Sequence, residues 1–386
     1  MTPVEVAGVG LHPFGRFPGT SITEMGVAAV RDAMAQAGLG PRGFEAAFCG
    51  TAYGGVASGH KVLGALASTG MPIVDVEAGC ASGTAALMLA AGAIRAGQYR
   101  TVLVFGIEKM PKGMIRSSFF EPWQEEAGLS ATPAYFALRA QRFMHASGVT
   151  KEQLAAVVVK NRRQGVHNPD AMFRKEVDAA GVLASRVVCE PLHLWMLCSP
   201  NEGAAAVVLA AGDGAPGGSG RGGGSGRVRL AAAVLRSHLP GPVLSESTPM
   251  SGTTDDTIPS ASTLAATAAY EEAGLGPDDL DVVECQDTDA CRELIAYEEL
   301  GLCKPGDAGV LLDEGATALG GRLPVNVSGG LLSKGEPLGA SGLGQVVELV
   351  RQLRGEAGPR QVEGAGVALA HTVGRGANAG VTILVR

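Results

Sequence analysis

The pentapeptide Ala37-Gly-Leu-Gly-Pro41 recurs letter for letter as Ala273-Gly-Leu-Gly-Pro277, each time closing an apolar-periodic segment and each time followed by a strand-like run. A second pair of landmarks follows in the same order. Val74 to Val76 leads into Cys80-Ala-Ser-Gly83 and an Ala-rich helix, and Leu323 to Val327 leads into Gly339-Ala-Ser-Gly342 and a helix to Leu353. Matched landmarks in matched order predict an internal duplication of one α/β unit, so that the chain folds as two similar halves. Between them, Pro216-Gly-Gly-Ser-Gly-Arg-Gly-Gly-Gly-Ser-Gly226 has a composition that cannot pack, which makes residues 212–226 a flexible linker joining a first half, 1–226, to a second, 227–386.

Within the first half, strands are expected at Val4 to Leu11, Phe44 to Thr51, Thr101 to Gly106 and Gly203 to Ala211, with helices from the Thr20-Ser-Ile-Thr-Glu24 capping pattern to Ala37 and from His60 to Ser68. The second half predicts strands at Val228 to Val234, Leu280 to Cys285 and Val381 to Val385, and a helix over Ser260 to Ala273. From about 110 to 188 the pattern changes, with Trp123, Tyr135, Phe136 and Phe143 among charged helical stretches. That segment reads as an insertion lying over the core and shaping a pocket, whose Arg and Lys residues either greet an anionic ligand or form a solvated face.

The stretch Pro72-Ile-Val-Asp-Val-Glu-Ala-Gly-Cys80-Ala-Ser-Gly passes from a β-branched run directly into an uncharged Ala-rich segment, predicting a strand, a tight elbow and a buried helix. A thiol there faces unpaired N–H groups and the positive end of the helix dipole, which favour the attacking thiolate. Cys80 is therefore the candidate nucleophile. Its counterpart in the second copy is Gly339, so only the first half carries a thiol at the elbow.

Composition sets the limits. In 386 residues with 46% hydrophobic and 4% aromatic content and 57 glycines, a large core of small side chains with tight helix–sheet packing is expected. A net charge of −7 and the lack of a basic block argue against nucleic acid. No basic, apolar leader opens the chain and no stretch of about 18 apolar residues occurs, so the expectation is a cytoplasmic protein without membrane insertion. Seven cysteines without a Cys-x-x-Cys pair suit reduced thiols and give no structural metal site.

Across nearly its whole length the sequence resembles the thiolase superfamily, in the branch of sterol-carrier-protein thiolases and lipid-transfer-type thiolase-like proteins. The resemblance rests on Glu77-Ala-Gly-Cys80-Ala-Ser-Gly, Val159-Lys-Asn-Arg-Arg-Gln-Gly-Val-His-Asn-Pro169, Cys198-Ser-Pro-Asn-Glu-Gly-Ala-Ala-Ala206, Glu293-Leu-Ile-Ala-Tyr-Glu-Glu-Leu-Gly301 and the run from Asn326 to Gly342. It implies an α/β, thiolase-like fold of two duplicated halves in five layers, α-β-α-β-α, with a loop domain inserted in the first half, and a homodimer formed through first-half surfaces. It also implies an acyl-CoA C-acyltransferase of lipid metabolism, with a coenzyme A thioester as substrate, no tightly bound cofactor, and Cys80 as the acyl-accepting residue.

Several motifs depart from the family pattern. The His-Asp-Cys-Phe or Asn-Glu-Ala-Phe motif is Gln286-Asp-Thr-Asp289, the Gly-His-Pro motif is Gly335-Glu336-Pro337, and the C-terminal motif that often holds a second cysteine reads Ala370-His371-Thr-Val-Gly374. Claisen-type chemistry needs a nucleophile, a base for the α-carbon and donors for a developing oxyanion. Cys80 serves the first need. His371 is expected to activate it or move the α-proton and Gln286 to donate its amide; Glu336, whose carboxylate would repel an oxyanion, is expected to help either as a base or as an acid kept protonated by burial, with Gly339, Ser341 and Gly374 as substrate-binding positions. The plainer readings are a hydrogen-bonded core histidine at 371, a cap or Lys334 ion pair at Glu336, and turn chemistry at Gln286 and Asp287, with Asp289 capping a helix from Ala290. Two other functions stay open: a retro-aldolase acting on β-hydroxyacyl-CoA with an OB-fold, zinc-ribbon partner, and a non-catalytic acyl-CoA carrier or assembly subunit.

Overall fold

The computed structural model describes residues 2–113, 122–126, 128, 131–212, 226–239, 258–374 and 378–386. Most of the predicted linker, 213–225, lies outside the described residues. The first half contributes β1 (Val4–Gly15), α1 (Ile22–Gln36), β2 (Ala46–Gly50), α2 (Ser58–Ala65), β3 (Ile73–Val76), α3 (Ser82–Arg95) and β4 (Thr101–Lys109). Then come α4 (Pro122–Glu126), α5 (Thr132–Ser147), α6 (Lys151–Val166), α7 (Ala179–Ala184), a small hairpin of β5 (Val187–Cys189) and β6 (Leu192–His193), and finally β7 (Glu202–Ala211). The second half contains β8 (Val228–Ser237), α8 (Ala261–Ala273), β9 (Val282–Glu284), α9 (Ala290–Glu299), α10 (Ala308–Asp313), α11 (Gly330–Lys334), α12 (Leu338–Arg354), β10 (Val367–Val373) and β11 (Asn378–Val385).

The duplication is visible strand by strand. The main sheet runs β3-β2-β4-β7-β1-β8-β11-β10-β9 and is joined at its middle by a short antiparallel contact, Glu5 with Arg229 and Val6 with Val228. On one side the order is β3-β2-β4-β7-β1. On the other, β9-β10-β11-β8 repeats the last four, and Val325 makes an isolated parallel bridge to Val283 where β3 would lie. The expected strand at Leu323 to Val327 is thus reduced to that bridge.

The helices sort into layers around these two half-sheets. α1 and α2 cover the outer face of the first half, and α8 packs on β8 and β11 of the second. α3 and α12 pack against each other and against strands of both halves, forming the central layer. The core between the half-sheets is built from small and branched residues, including Ala86, Leu87, Ala90 and Ile94 of α3 and Leu343, Val347 and Val350 of α12. Because both faces of the half-sheets are covered, β4 and β7 are near-continuous buried runs rather than alternating ones.

Glycines set the closeness of this middle layer. A Cβ on Gly106 of β4 would lie 2.2 Å from the Gly339 carbonyl oxygen, and one on Gly83 would lie 2.8 Å from the same atom. Capping follows the sequence: Ser21 and Glu24 form a reciprocal box at α1, and Ser260 and Asp289 cap α8 and α9. The insertion between β4 and β7 reaches across to the other half. Tyr135, Phe136, Leu154, Val157 and Val158 share one apolar cluster with Leu294, Tyr297 and Val325. Among the described residues no helix is long and apolar enough to cross a membrane.

Candidate active site

Cys80 lies at a reversal whose backbone only a few residue choices permit. After β3, Ala78 leaves the extended region at φ −156°, ψ 40°, and Gly79 adopts φ 59°, a left-handed conformation in which glycine avoids the Cβ penalty. A single 3₁₀ turn over Gly79–Ala81 then runs into α3, so Cys80 sits just before the helix proper rather than inside its first turn. Ser82 stitches the elbow, its Oγ accepting from the Ala78 amide at 2.9 Å and donating to the Gly79 carbonyl at 2.6 Å. Glu77 accepts from the Gly79 amide at 2.7 Å. A Cβ on Gly374 would fall 2.1 Å from the Ala78 carbonyl oxygen, so the bare glycine at the end of β10 is what lets the elbow close against that strand.

Three further segments converge on the elbow. The stretch Leu197 to Asn201 is strapped between two loops: Cys198 N–H donates to Thr288 O at 2.9 Å, Glu336 N–H to Ser199 O at 2.9 Å, and Asn201 N–H to Glu336 O at 3.3 Å. Isolated bridges pair Leu197 with Asp289 and Pro200 with Glu336. These backbone contacts bring Cys198, Gln286 and Glu336 together. Gln286 Nε2 donates to Glu336 Oε1 at 2.8 Å, the Cys198 thiol donates to Glu336 Oε2 at 3.2 Å, and the Val373 amide donates to Gln286 Oε1 at 3.2 Å. Both Glu336 oxygens accept, as a carboxylate does. Burial, and then the Glu336 carboxylate, push the Cys198 pKa well above the ordinary thiol value.

Behind Gln286 lies a buried polar clamp. Asp287 accepts from the Leu331 and Leu332 amides at 2.6 and 3.2 Å and from Asn161 Nδ2 at 2.9 Å. Glu293 accepts from Asn161 and Asn326, each at 2.7 Å, and pairs with Lys160 at 2.6 Å. Burial and the neighbouring Glu293 raise the Asp287 pKa well above its ordinary value. The clamp fixes the loop that presents Gln286.

Cys80, Cys198, Gln286 and Glu336 line one cavity of about 1410 Å³. Its other walls include Phe136, Phe173, Trp195, Leu197 and Leu338, with Arg162, Arg174, Lys175 and Arg186 contributed by the insertion. Arg162 stacks over the Phe173 ring at 4.1 Å, and burial lowers its pKa to about 10. Among the described residues no histidine lines the cavity and no cluster of His, Cys, Asp and Glu is arranged to hold a metal ion.

Not every expected site residue joins this group. His371 is fully buried on the face of β10 turned toward α8, where Nε2 pairs with Ser262 Oγ at 2.9 Å, and it does not line the cavity. Its neighbour Thr372 points the other way and meets Thr84 of α3 at 2.9 Å. Val373, two residues on and on the same face, reaches the cavity, whereas His371 stays one step deeper, closed in between β10 and α8. Burial, and secondarily Arg292, hold its pKa well below the ordinary histidine value. Gly339 and Ser341 lie in the packed first turns of α12; Gly339 donates its amide to Glu108 at 3.1 Å and Ser341 donates to Leu338 O at 3.2 Å. With Gly374 they shape the central layer and the elbow rather than the cavity wall.

Lys334 pairs with Glu284 at 3.3 Å, not with Glu336, leaving the carboxylate to the site. Asp289 caps α9 through Arg292 N at 3.0 Å and pairs with Arg139. The residue sequence reasoning missed is Cys198. Its signal was modest: a cysteine directly before Ser-Pro-Asn at the entry to a buried strand.

Comparison with known proteins supplies the setting. Residues 4–183 match the family model described as thiolase, N-terminal domain, and residues 244–386 match that described as thiolase C-terminal domain-like. The chain is similar to sterol carrier protein 2 of Oryctolagus cuniculus, 36% identical over 98% of this chain and 71% of that protein. It is similar to acetyl-CoA acetyltransferase of Methanothermobacter thermautotrophicus, 35% identical with both chains covered in full (100% each). Among solved structures, an Ltp2-ChsH2(DUF35) aldolase superposes with a TM-score of 0.85 at 25% identity, covering 99% of this chain and 97% of that one.

Proposed function

Because this chain belongs to the thiolase family, we propose that it is an acyl-CoA C-acyltransferase in which Cys80 carries the acyl group while a carbon–carbon bond is made or broken. The observation that carries this reading is the convergence of Cys80, at the positive end of α3, with the Glu336–Gln286 pair in one cavity. The thiolate of Cys80 attacks the thioester carbonyl, coenzyme A departs, and the acyl group stays on sulfur. Glu336 is the base that ends up holding the proton when the α-carbon of the second acyl group gives one up, and Gln286, held by Val373, fixes the carboxylate in place. The basic residues at the cavity mouth, Arg174 and Lys175, suit the phosphates of coenzyme A.

The finer assignments are ours as well. A homodimer through β3 is supported by that strand's position at the sheet edge and by the exposure of Val74. Seven cysteines outside any disulfide fit the reducing cytoplasm.

Acyl donors of increasing length, followed by mass spectrometry of the intact protein, test the main reading. A thioester adduct on Cys80 that disappears in Cys80→Ala is expected. One specific similarity favours a second reading, in which the chain cleaves a β-hydroxyacyl-CoA together with a DUF35-type partner: the match to the aldolase structure over nearly its full length. Absence of any adduct, with undiminished β-hydroxyacyl-CoA cleavage by Cys80→Ala, would replace the first reading by the second.

A further inference from the structure

A second thiol stands in the same cavity as Cys80, and its surroundings are not those of a packing residue. Cys285 and Cys291 sit inside an apolar cluster with Leu294, Leu300 and Val325. Cys198 belongs to none of the hydrophobic clusters; it lines the cavity, and its Sγ donates to Glu336 Oε2 at 3.2 Å. The carboxylate it meets is held from the other side by Gln286 at 2.8 Å, and Gln286 by the Val373 amide at 3.2 Å. Cys198 itself is fixed by its backbone N–H, which donates a hydrogen bond to Thr288 O. The result is an oriented chain, Val373 N–H to Gln286 to Glu336 to Cys198, that ends in a transferable proton at the cavity wall. His371, the other group expected to move protons, faces α8 instead.

We propose that Cys198 is a catalytic acid–base residue of this site, passing protons between the α-carbon of the acyl group and Glu336. The assignment rests on the acyltransferase reading given above. In the condensing direction the α-hydrogen passes to Cys198 Sγ as the Cys198 proton passes to Glu336. A C–H and an S–H bond break, an S–H and an O–H bond form, and the negative charge moves from the carboxylate to the enolate. The enolate carbon then attacks the acyl carbonyl held on Cys80. The new C–C bond forms, the C–S bond to Cys80 breaks, and the departing thiolate recovers the proton from Glu336 by way of Cys198. Cleavage runs through the same steps in reverse. A neutral thiol suits this relay, since the burial and the carboxylate that raise the pKa of Cys198 keep its proton in place until the α-carbon yields its own.

The test separates the two halves of the reaction. Acetyl-CoA is incubated with the whole protein in D2O; deuterium at the α-carbon reports enolate formation, and the acetyl adduct on Cys80 reports acyl transfer. Wild type is expected to show both. Cys198→Ala is expected to lose α-exchange by about 100-fold or more while the Cys80 adduct still forms. Cys198→Ser keeps a hydrogen-bond donor toward Glu336 but a far less acidic one, and its exchange is expected to fall by at least about tenfold. Exchange near the wild-type rate in both variants overturns the proposal, as does full rescue by serine, which would leave only a positioning role. Loss of adduct and exchange together in both variants also overturns it. If wild type gives neither adduct nor exchange, the acyltransferase reading itself falls, a result distinct from the others.

Discussion

Replacing Glu336 by glutamine changes one atom and removes the only group in the Cys198–Glu336–Gln286 chain that can hold an extra proton. Glu336 is 5% exposed, so the substitution is made in a nearly closed site. The amide oxygen can still accept from Gln286 Nε2, now 2.8 Å from Oε1, while the NH2 group turns to the Cys198 sulfur, a weak acceptor. A hydrogen bond to a charged group, worth about 1.5–3 kcal/mol, is lost. Removing a buried charge offsets much of that, and the backbone ladder through Ser199 and Asn201 is untouched. The net change in stability should stay within about 1 kcal/mol, which calorimetry or a denaturant midpoint reads. The chemistry should suffer far more. Loss of a positioned base lowers the rate by about 10²–10⁴, which is roughly 2.7–5.4 kcal/mol of barrier. The assay is kcat for condensation or cleavage of a 3-oxoacyl-CoA, beside adduct formation on Cys80. A folded Glu336→Gln protein within about tenfold of wild-type turnover would refute the role given to this carboxylate.

Three further outcomes follow from the same geometry. His371 has a pKa well below its unfolded value, so the unfolded chain binds the proton first; stability from this group is complete above pH ~6.5 and falls as pH drops below it, by up to about 1.4 kcal/mol per unit. His371→Gln should flatten that acid limb in pH-dependent unfolding and leave the Cys80 adduct in place; an unchanged slope would show that His371 protonates freely when folded. Glu108 accepts hydrogen bonds from the amides of Ala52, Tyr53 and Gly339 at 2.9, 3.0 and 3.1 Å, and Glu108→Gln, which turns an NH2 toward one side of that set, should cost about 2 kcal/mol or more in chemical denaturation. Gly106→Ala places a methyl 2.2 Å from the Gly339 carbonyl oxygen and should destabilise by about 2–3 kcal/mol through overpacking; a variant as stable as wild type would mean that α12 slides freely over β4.

Much of the fold was present in local patterns. The Ser21 and Glu24 box and the Asp289 cap form where the sequence placed them, because capping needs only residues within one turn. The strand–elbow–helix around Cys80 was equally local, requiring a β-branched run, a glycine able to take φ 59° and an Ala-rich helix. The site was legible in part: Cys80, Gln286 and Glu336 meet at the cavity, whereas His371 is buried against α8 and Lys334 turns to Glu284.

What sequence by itself determined, then, was most of the elements, their duplication and the elbow that carries the proposed nucleophile, since each depends on neighbours a few residues apart or on a repeated pattern. Tertiary structure decided what each face of β10 packs against. Period-2 alternation says only that His371 and Thr372 point oppositely; the packing of α3 on one side and α8 on the other gives Thr372 to Thr84 and His371 to Ser262. It also decided the company of Cys80. Cys198 stands 138 residues from Glu336 along the chain, and only the bridges from Leu197 to Asp289 and from Pro200 to Glu336 bring them within a hydrogen bond. No local propensity encodes such a meeting, because it exists only once the two halves have closed around α3 and α12.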